Sequence, residues 1–177
     1  MTATCTKLMI IRHAEKPDKL AGISGVTEAG ETDRDDLTVR GWQRAGALVH
    51  FFNPATPVGP TPGLAVPGAI FATSPNGDSP SKRPLHTVSP LAADLGLRVR
   101  TDFTVHQEND LIAAALRAAK TVLVCWHHER IAKLAAPLGI TIAPWPDDVF
   151  DRVLLFDAAG AGWSTGTLRQ HLLPGDA

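Results

Sequence analysis

Short runs of apolar, often branched residues alternate along this sequence with segments whose apolar residues recur every three or four positions. The runs lie at 7–11, 69–72, 99–101, 122–126 and 150–156, and the segments with helical spacing at 38–52, 81–95, 109–119 and 131–138. Short apolar runs are typical of strands buried on both faces, and the longer spaced segments are typical of amphipathic helices. The alternation therefore predicts an α/β layer sandwich with a mostly parallel central sheet.

Two connecting segments stand out from this pattern. Residues 15–36 are rich in Gly, Asp, Glu and Thr without a clear period, which predicts a long loop, and loops of that length usually carry function. Five prolines between positions 53 and 68 predict an irregular backbone there.

Thr38 is expected to cap the first helix, and residues 145–148 are expected to form a structural turn before the last strand.

The length and composition are those of an ordinary globular protein. The chain has 177 residues, is 44% hydrophobic and carries a formal net charge of −1, so we expect one domain over 1–177 and no nucleic-acid partner. Every apolar run is far shorter than the roughly 20 residues of a membrane span, and no signal peptide precedes the first strand. The sequence thus predicts a cytoplasmic protein without a membrane partner, in which Cys5 and Cys125 are free thiols.

Arg12 and His13 follow the first apolar run directly. Ligands bind at the carboxyl ends of strands in open α/β sheets, which favours a functional role for this pair. A guanidinium offers paired donors to phosphate oxygens, and a neutral imidazole can attack phosphorus to form a covalent intermediate. An isolated Arg-His pair more often lies at the surface after a strand, so the interpretation needs support from other segments.

Several later segments supply that support, in order. The sequence contains Arg12-His13-Ala14-Glu15-Lys16-Pro17; then Leu37-Thr38 with Gly41, Arg44 and Ala45; then Ser81, Arg83, Thr87 and Val88; then a strand followed by His127 and His128. This series resembles the histidine phosphatase (phosphoglycerate mutase-like) superfamily, and its first motif is similar to the Arg-His-Ala-Glu-Lys-Pro branch. The resemblance runs from Leu8 to about Asp157 and implies a three-layer α/β/α sandwich of the phosphoglycerate mutase-like type.

The chain departs from the family pattern around the second arginine. Prolines and a glycine lie between Ser74 and Arg83, His86 stands where glutamine is common, and Lys82 is an alternative to Arg83. The resemblance nevertheless implies that Arg83, with Arg12, binds phosphoryl oxygens.

The last motif offers two histidines for the same role. Gapless matching to the family strand favours His127, whereas the Cys-Trp-x-His-Glu-x-Ile version of the branch favours His128, which we prefer. Successive side chains on a strand point to opposite faces, so we expect only one of the two to enter the pocket.

A leaving group also needs a proton, and a carboxylic acid close to phosphate charges can supply one. Glu108 lies in the segment where the family usually carries its acid, and His106, Asp110 or Glu15 are alternatives. Glu108 could instead simply begin the helix that follows, where a carboxylate is favourable.

The resemblance implies a phosphomonoester hydrolase that acts on a small phosphorylated substrate through a phosphohistidine at His13, without a metal or organic cofactor. No His-Glu-x-x-His spacing, paired-cysteine motif or Gly-rich phosphate loop occurs in the sequence. Two alternatives stay open. The fold could serve as a phosphate- or partner-binding module without turnover, or as a phosphomutase, for which the chain is short of insertions that would enclose a substrate.

Overall fold

The structure is a computed structural model that describes residues 5–57, 59–76 and 78–176. Its strands are β1 (Lys7–Arg12), β2 (Ala69–Ala72), β3 (Val99–Arg100), β4 (Thr121–Trp126), β5 (Arg152–Ala159) and β6 (Gly162–Arg169); its α-helices are α1 (Val39–Phe52), α2 (Arg83–Asp94), α3 (Glu108–Ala118) and α4 (Ile131–Ala135). Val58, in the predicted proline-rich stretch, and Gly77, in the segment before Arg83, lie outside the described residues.

The six strands form one mixed sheet in the order β3-β2-β4-β1-β5-β6. β1, β2, β3 and β4 pair in parallel, whereas β5 pairs antiparallel with both β1 and β6. The prediction that the strand at 150–156 is the last one is wrong, because β5 is followed by β6. The two are joined at Gly160, whose φ of +57° suits a glycine in a tight hairpin.

Helices pack on both faces of the sheet. Leu8 and Ile10 of β1 face a core that includes side chains of α3 and α4, and Met9 and Ile11 face a second core that includes side chains of α1 and α2. All four side chains are fully buried. Burial on both faces explains why the central strands are continuous apolar runs instead of alternating ones.

The helix boundaries follow local chemistry. Thr38 caps α1 as predicted, because its Oγ1 accepts a hydrogen bond from the Gly41 N–H at 3.1 Å. The predicted helix at 131–138 is shorter than expected: α4 ends at Ala135, and a 3₁₀ turn containing Pro137 follows, since proline lacks the N–H that would continue an α-helix.

Two other predictions, the long loop at 15–36 and the free thiols, are also confirmed. Residues 15–36 contain only two isolated bridges and no regular strand or helix. Cys5 and Cys125 are free and buried. None of the helices in the described ranges has both the length and the apolar character needed to cross a membrane.

The sheet brings three of the predicted segments together. Arg12 and Trp126 pair at the carboxyl ends of β1 and β4, and the His13 N–H donates to the Trp126 carbonyl at 3.1 Å. The residues that follow the two strands therefore leave the same edge of the sheet side by side. α2 begins at Arg83, and its Thr87 reaches the residue after His13, as described below.

Candidate active site

His13 is held as a neutral ring with a defined tautomer. It is only 2% exposed, and its Nδ1 lies 2.7 Å from the Ala14 carbonyl oxygen, which can only accept, so Nδ1 carries the proton. Burial lowers the pKa of His13 well below its ordinary value; the bond to Ala14 opposes this effect, and the charges of Arg12 and Arg83 add to it. The lone pair on Nε2 is therefore available at neutral pH, as a nucleophile requires.

Arg12, at the end of β1, is buried and anchored on one side. Its guanidinium carbon lies 3.9 Å from the centroid of the Phe150 ring. Its Nη1 donates to three backbone carbonyls, those of Pro146 (3.3 Å), Asp147 (2.6 Å) and Val149 (3.3 Å). Its buried Nε has no hydrogen-bond partner among the described residues. Burial lowers the pKa of Arg12 to about 10, so the side chain stays charged at neutral pH.

Arg83, the first residue of α2, resembles Arg12 in having one nitrogen bonded to the backbone and a buried nitrogen without a partner among the described residues. Its Nη1 donates to the Arg34 carbonyl at 3.2 Å, and its buried Nε has no partner in the described part of the chain. Buried donors without a partner are rare in proteins. In both Arg12 and Arg83 the edge formed by Nε and Nη2 can thus donate hydrogen bonds to two oxygens of a tetrahedral anion.

Lys82, the alternative to Arg83, is engaged elsewhere. Its Nζ forms an ion pair with Asp33 at 2.8 Å, and its side chain is 44% exposed. The charge of Arg83, with that of Arg12, contributes to the lowered pKa of His13.

His127 and His128 both approach His13. Their ring centroids lie 5.7 Å and 6.4 Å from the centroid of the His13 ring. The sequence predicted that only one of them would enter the pocket, because successive side chains on a strand point to opposite faces. That rule does not apply here, because β4 ends at Trp126, His127 continues in extended backbone, and His128 begins a 3₁₀ turn.

The two histidines have different partners. His127 is 6% exposed, and its Nε2 lies 3.3 Å from the Ser79 hydroxyl. His128 points its Nδ1 toward Arg12, at 3.3 Å from Nη2. Burial lowers the pKa of both rings.

His128 also lies between two carboxylates. Asp147 Oδ1 is 3.0 Å from its Nε2, and the largely exposed Glu129 is 2.9 Å from its Nδ1. Burial and the charge of Arg12 outweigh these acids and keep the pKa of His128 below its ordinary value. A guanidinium can only donate, so Nδ1 of the neutral ring accepts from Arg12 Nη2, and the protonated Nε2 lies 3.0 Å from Asp147 Oδ1.

Thr87 links the loop after His13 to α2, a role that the sequence did not reveal. Its fully buried hydroxyl accepts from the Ala14 N–H at 2.8 Å and donates to the Arg83 carbonyl at 2.7 Å. A threonine in a helix commonly bonds the carbonyl four residues back, and here the same oxygen also fixes the residue after the nucleophile.

Asp147 and Lys16 were also missed as site residues. The Lys16 Nζ lies 2.6 Å from Asp147 Oδ1, although 131 residues separate the two in sequence. Both line a cavity of about 490 Å³ that is also bordered by Pro17, Leu20 and Phe150. This cavity adjoins Arg12 through Phe150, whose ring is stacked against the guanidinium.

Glu108, the predicted proton donor, is an ionised partner of Arg130. Its carboxylate accepts two hydrogen bonds from Arg130, at 2.8 and 2.9 Å, and one from the Trp126 indole at 3.3 Å. Burial alone would raise the pKa of Glu108, but the bonds from Arg130 and from other donors lower it. A general acid needs a raised pKa, and Glu108 also begins α3, so its contacts are those of the structural alternative.

The other candidates for the acid lie in different surroundings. His106 and Asp110 are exposed near the start of α3, and Glu15 is buried and paired with Arg44 at 2.8 Å. Across the described ranges, no three His, Cys, Asp or Glu side chains are arranged to hold a metal ion. The identity of the proton donor stays a prediction from the sequence.

Comparison with known proteins gives the fold. Searches of known protein families and of the curated proteins found no match to this sequence. Among solved structures, YhfR from Bacillus stearothermophilus is similar, with a TM-score of 0.54 and 15% sequence identity over 98% of each chain. YhfR has a phosphoglycerate mutase-like histidine phosphatase fold. The chain is thus a mixed α/β protein whose structure is similar to the phosphoglycerate mutase-like fold.

Proposed function

We propose that this protein is a phosphomonoester hydrolase that works through a phosphohistidine at His13. One observation carries the proposal: a neutral histidine with its Nε2 lone pair available lies close to the buried Arg12 and the half-buried Arg83, and each arginine has a buried Nε without a partner in the described part of the chain. A tetrahedral dianion matches both the charge and the donor geometry of that arrangement.

The first step is the attack of His13 Nε2 on phosphorus. The N–P bond forms as the bond to the leaving oxygen breaks, and that oxygen keeps the electron pair. Arg12 and Arg83 stabilise the charge on the remaining phosphoryl oxygens, and the Ala14 carbonyl accepts from Nδ1–H and stabilises the positive ring. In the second step water attacks phosphorus, the N–P bond breaks, and the lone pair returns to Nε2 as phosphate leaves.

We also infer that the chain belongs to the histidine phosphatase superfamily and to its Arg-His-Ala-Glu-Lys-Pro branch. The motif from Arg12 to Pro17 supports the branch, and the fold neighbour supports the superfamily. The reaction needs no metal ion in this proposal, since two arginines supply the positive charge.

A binding module without turnover is the competing function. A later histidine that points away from Arg12 would favour the module, and His128 instead lies 3.3 Å from the Arg12 guanidinium, which supports the enzyme. A phosphomutase would use the same phosphohistidine but would have to keep water out until a second acceptor binds. Hydrolysis is the simpler outcome for a chain that is short of enclosing insertions.

Turnover of an aryl phosphate in the presence of a metal chelator tests the proposal. A phenolate leaves without a proton donor, so the assay does not depend on the identity of the acid. We expect His13→Ala to lower kcat by about 10³-fold or more. His50→Ala, the matched change at an exposed histidine near the end of α1, should leave kcat unchanged. Equal turnover by wild type and His13→Ala would refute the mechanism, and phosphate binding without any turnover would favour the binding module.

A further inference from the structure

We propose that Asp147 is an internal anion that competes with the substrate's phosphoryl group for the same donors and so determines how strongly the site binds dianions. The inference rests on the proposed phosphoryl site at His13. It goes beyond that proposal because it assigns a specificity role to a carboxylate that takes no part in the reaction.

The geometry places a single carboxylate oxygen among several donors. Asp147 Oδ1 lies 2.6 Å from Lys16 Nζ, 3.0 Å from His128 Nε2 and 3.9 Å from Arg12 Nη2. Two of these three groups, Arg12 and His128, are predicted phosphate ligands. The carboxylate therefore lies at the position where a substrate oxygen would find the same partners.

Arg12 shows why the two anions exclude each other. Its Nη1 is taken by backbone carbonyls, so a phosphoryl group that binds through two oxygens must use the edge formed by Nε and Nη2. Asp147 Oδ1 lies 3.9 Å from Nη2, one of the two donors of that edge. Two negatively charged oxygens cannot share one donor at short range without strong repulsion.

Asp147 can leave this position without unfolding its loop. Its side chain is 68% exposed, and an ion pair with a partly exposed lysine contributes little stability. The loop itself is held by the backbone, since the Asp147 carbonyl accepts from Arg12 Nη1 at 2.6 Å. Rotation of one side chain toward solvent therefore frees the Arg12 edge, His128 and Lys16 for the substrate.

Calorimetric titration with inorganic phosphate tests this competition. Asp147→Asn keeps the shape of the side chain and removes its charge, so we expect the Kd for phosphate to fall about tenfold or more. Asp148→Asn is the matched control, because within the described residues the neighbouring Asp148 side chain forms no hydrogen bond or ion pair. Its Kd should stay within about twofold of wild type, because Arg12, Lys16 and His128 pair with Asp147 and not with Asp148, and the exposed Asp148 carboxylate is screened by water.

The result that would overturn the inference is an Asp147→Asn protein that binds phosphate no more tightly than Asp148→Asn does, including the case in which neither binds. Weaker binding would also overturn it and would make Asp147 a residue that merely positions His128. Asp147→Ser replaces the asparagine variant if that protein does not fold. Titrations repeated in the His13→Ala background separate the two proposals. If Asp147→Asn still lowers the Kd for phosphate in that background, the competition is sustained. If the wild-type protein at the same time shows no turnover, the hydrolase is rejected.

Discussion

At the scale of single residues, the two arginines define the candidate site. Arg12 and Arg83 each fix Nη1 on backbone carbonyls and leave a buried Nε without a partner in the described chain. The sequence predicted both as phosphate ligands, from a strand-end position and a resemblance to a family. It could not identify Asp147 or Lys16, because 131 residues separate them and each residue has an ordinary explanation on its own, in a turn or a loop.

A prediction for Arg83 follows. Arg83→Ala removes one of the two guanidinium groups that stabilise the transferring phosphoryl group, so kcat/KM for an aryl phosphate should fall about 10²-fold or more. Lys82→Ala is the control at the adjacent position, whose charge is paired with Asp33 at the surface, and it should change kcat/KM less than about threefold. A larger loss for Lys82→Ala than for Arg83→Ala would assign the phosphate ligand to the lysine instead.

At the scale of secondary structure, the sequence predicted the elements that build the site and missed β6, at one edge of the sheet. β1, β2 and β4 were recognised because strands buried on both faces are continuous apolar runs. β6 was missed because most of its residues are exposed and show no apolar alternation; pairing with β5 defines it. Gly160 was the available signal, since a glycine between two strands marks a tight hairpin.

Thr87 gives a prediction at this scale, since it joins the loop after β1 to α2. Thr87→Val preserves the shape of the side chain but leaves the buried Ala14 N–H without its acceptor, so the free energy of unfolding should fall by roughly 1–3 kcal/mol. Ser89→Ala is the control on the same helix, because the Ser89 hydroxyl bonds only the carbonyl four residues back. Denaturant unfolding of both variants measures the difference, and equal losses would mean that the link to Ala14 contributes nothing.

At the scale of the whole molecule, a buried ion network connects the loop after β1 to Asp176, near the C-terminus. Arg44 of α1 is 2% exposed and bonds Glu15, two residues after His13, at 2.8 Å and Asp176 at 2.7 Å. Gly41 lets α1 approach this loop, because a Cβ there would lie 2.7 Å from the Glu15 carbonyl oxygen. The sequence contains Arg44 within a recognised motif, but Asp176 lies 132 residues away and no pattern relates the two.

Asp176 makes this network sensitive to acid. Burial alone would raise its pKa, but hydrogen bonds from Arg44 and from the backbone of Leu173 and Leu172 lower the pKa to about 2. An unfolded aspartate titrates near pH 4, so the contribution of Asp176 to stability is present above about pH 4 and is lost as the pH falls toward 2.

The variant Asp176→Asn tests that contribution. We expect it to lower the free energy of unfolding at pH 7 by roughly 1–3 kcal/mol and to reduce the further loss between pH 4 and pH 2. Asp148→Asn, at an exposed position, serves as the control. Thermal unfolding across that pH range measures the loss of stability. An equal loss between pH 4 and pH 2 in Asp176→Asn and wild type would show that the ion pair with Arg44 does not stabilise the fold.

Trapping the covalent intermediate tests most directly whether His13 carries the phosphoryl group. The protein is mixed with an aryl phosphate, quenched in base, where phosphohistidine is stable, and digested for mass spectrometry. We expect phosphate on the peptide that contains His13, at Nε2, and none on His127 or His128. Turnover with the phosphate found on another residue, or without any phosphorylated peptide, would contradict this expectation.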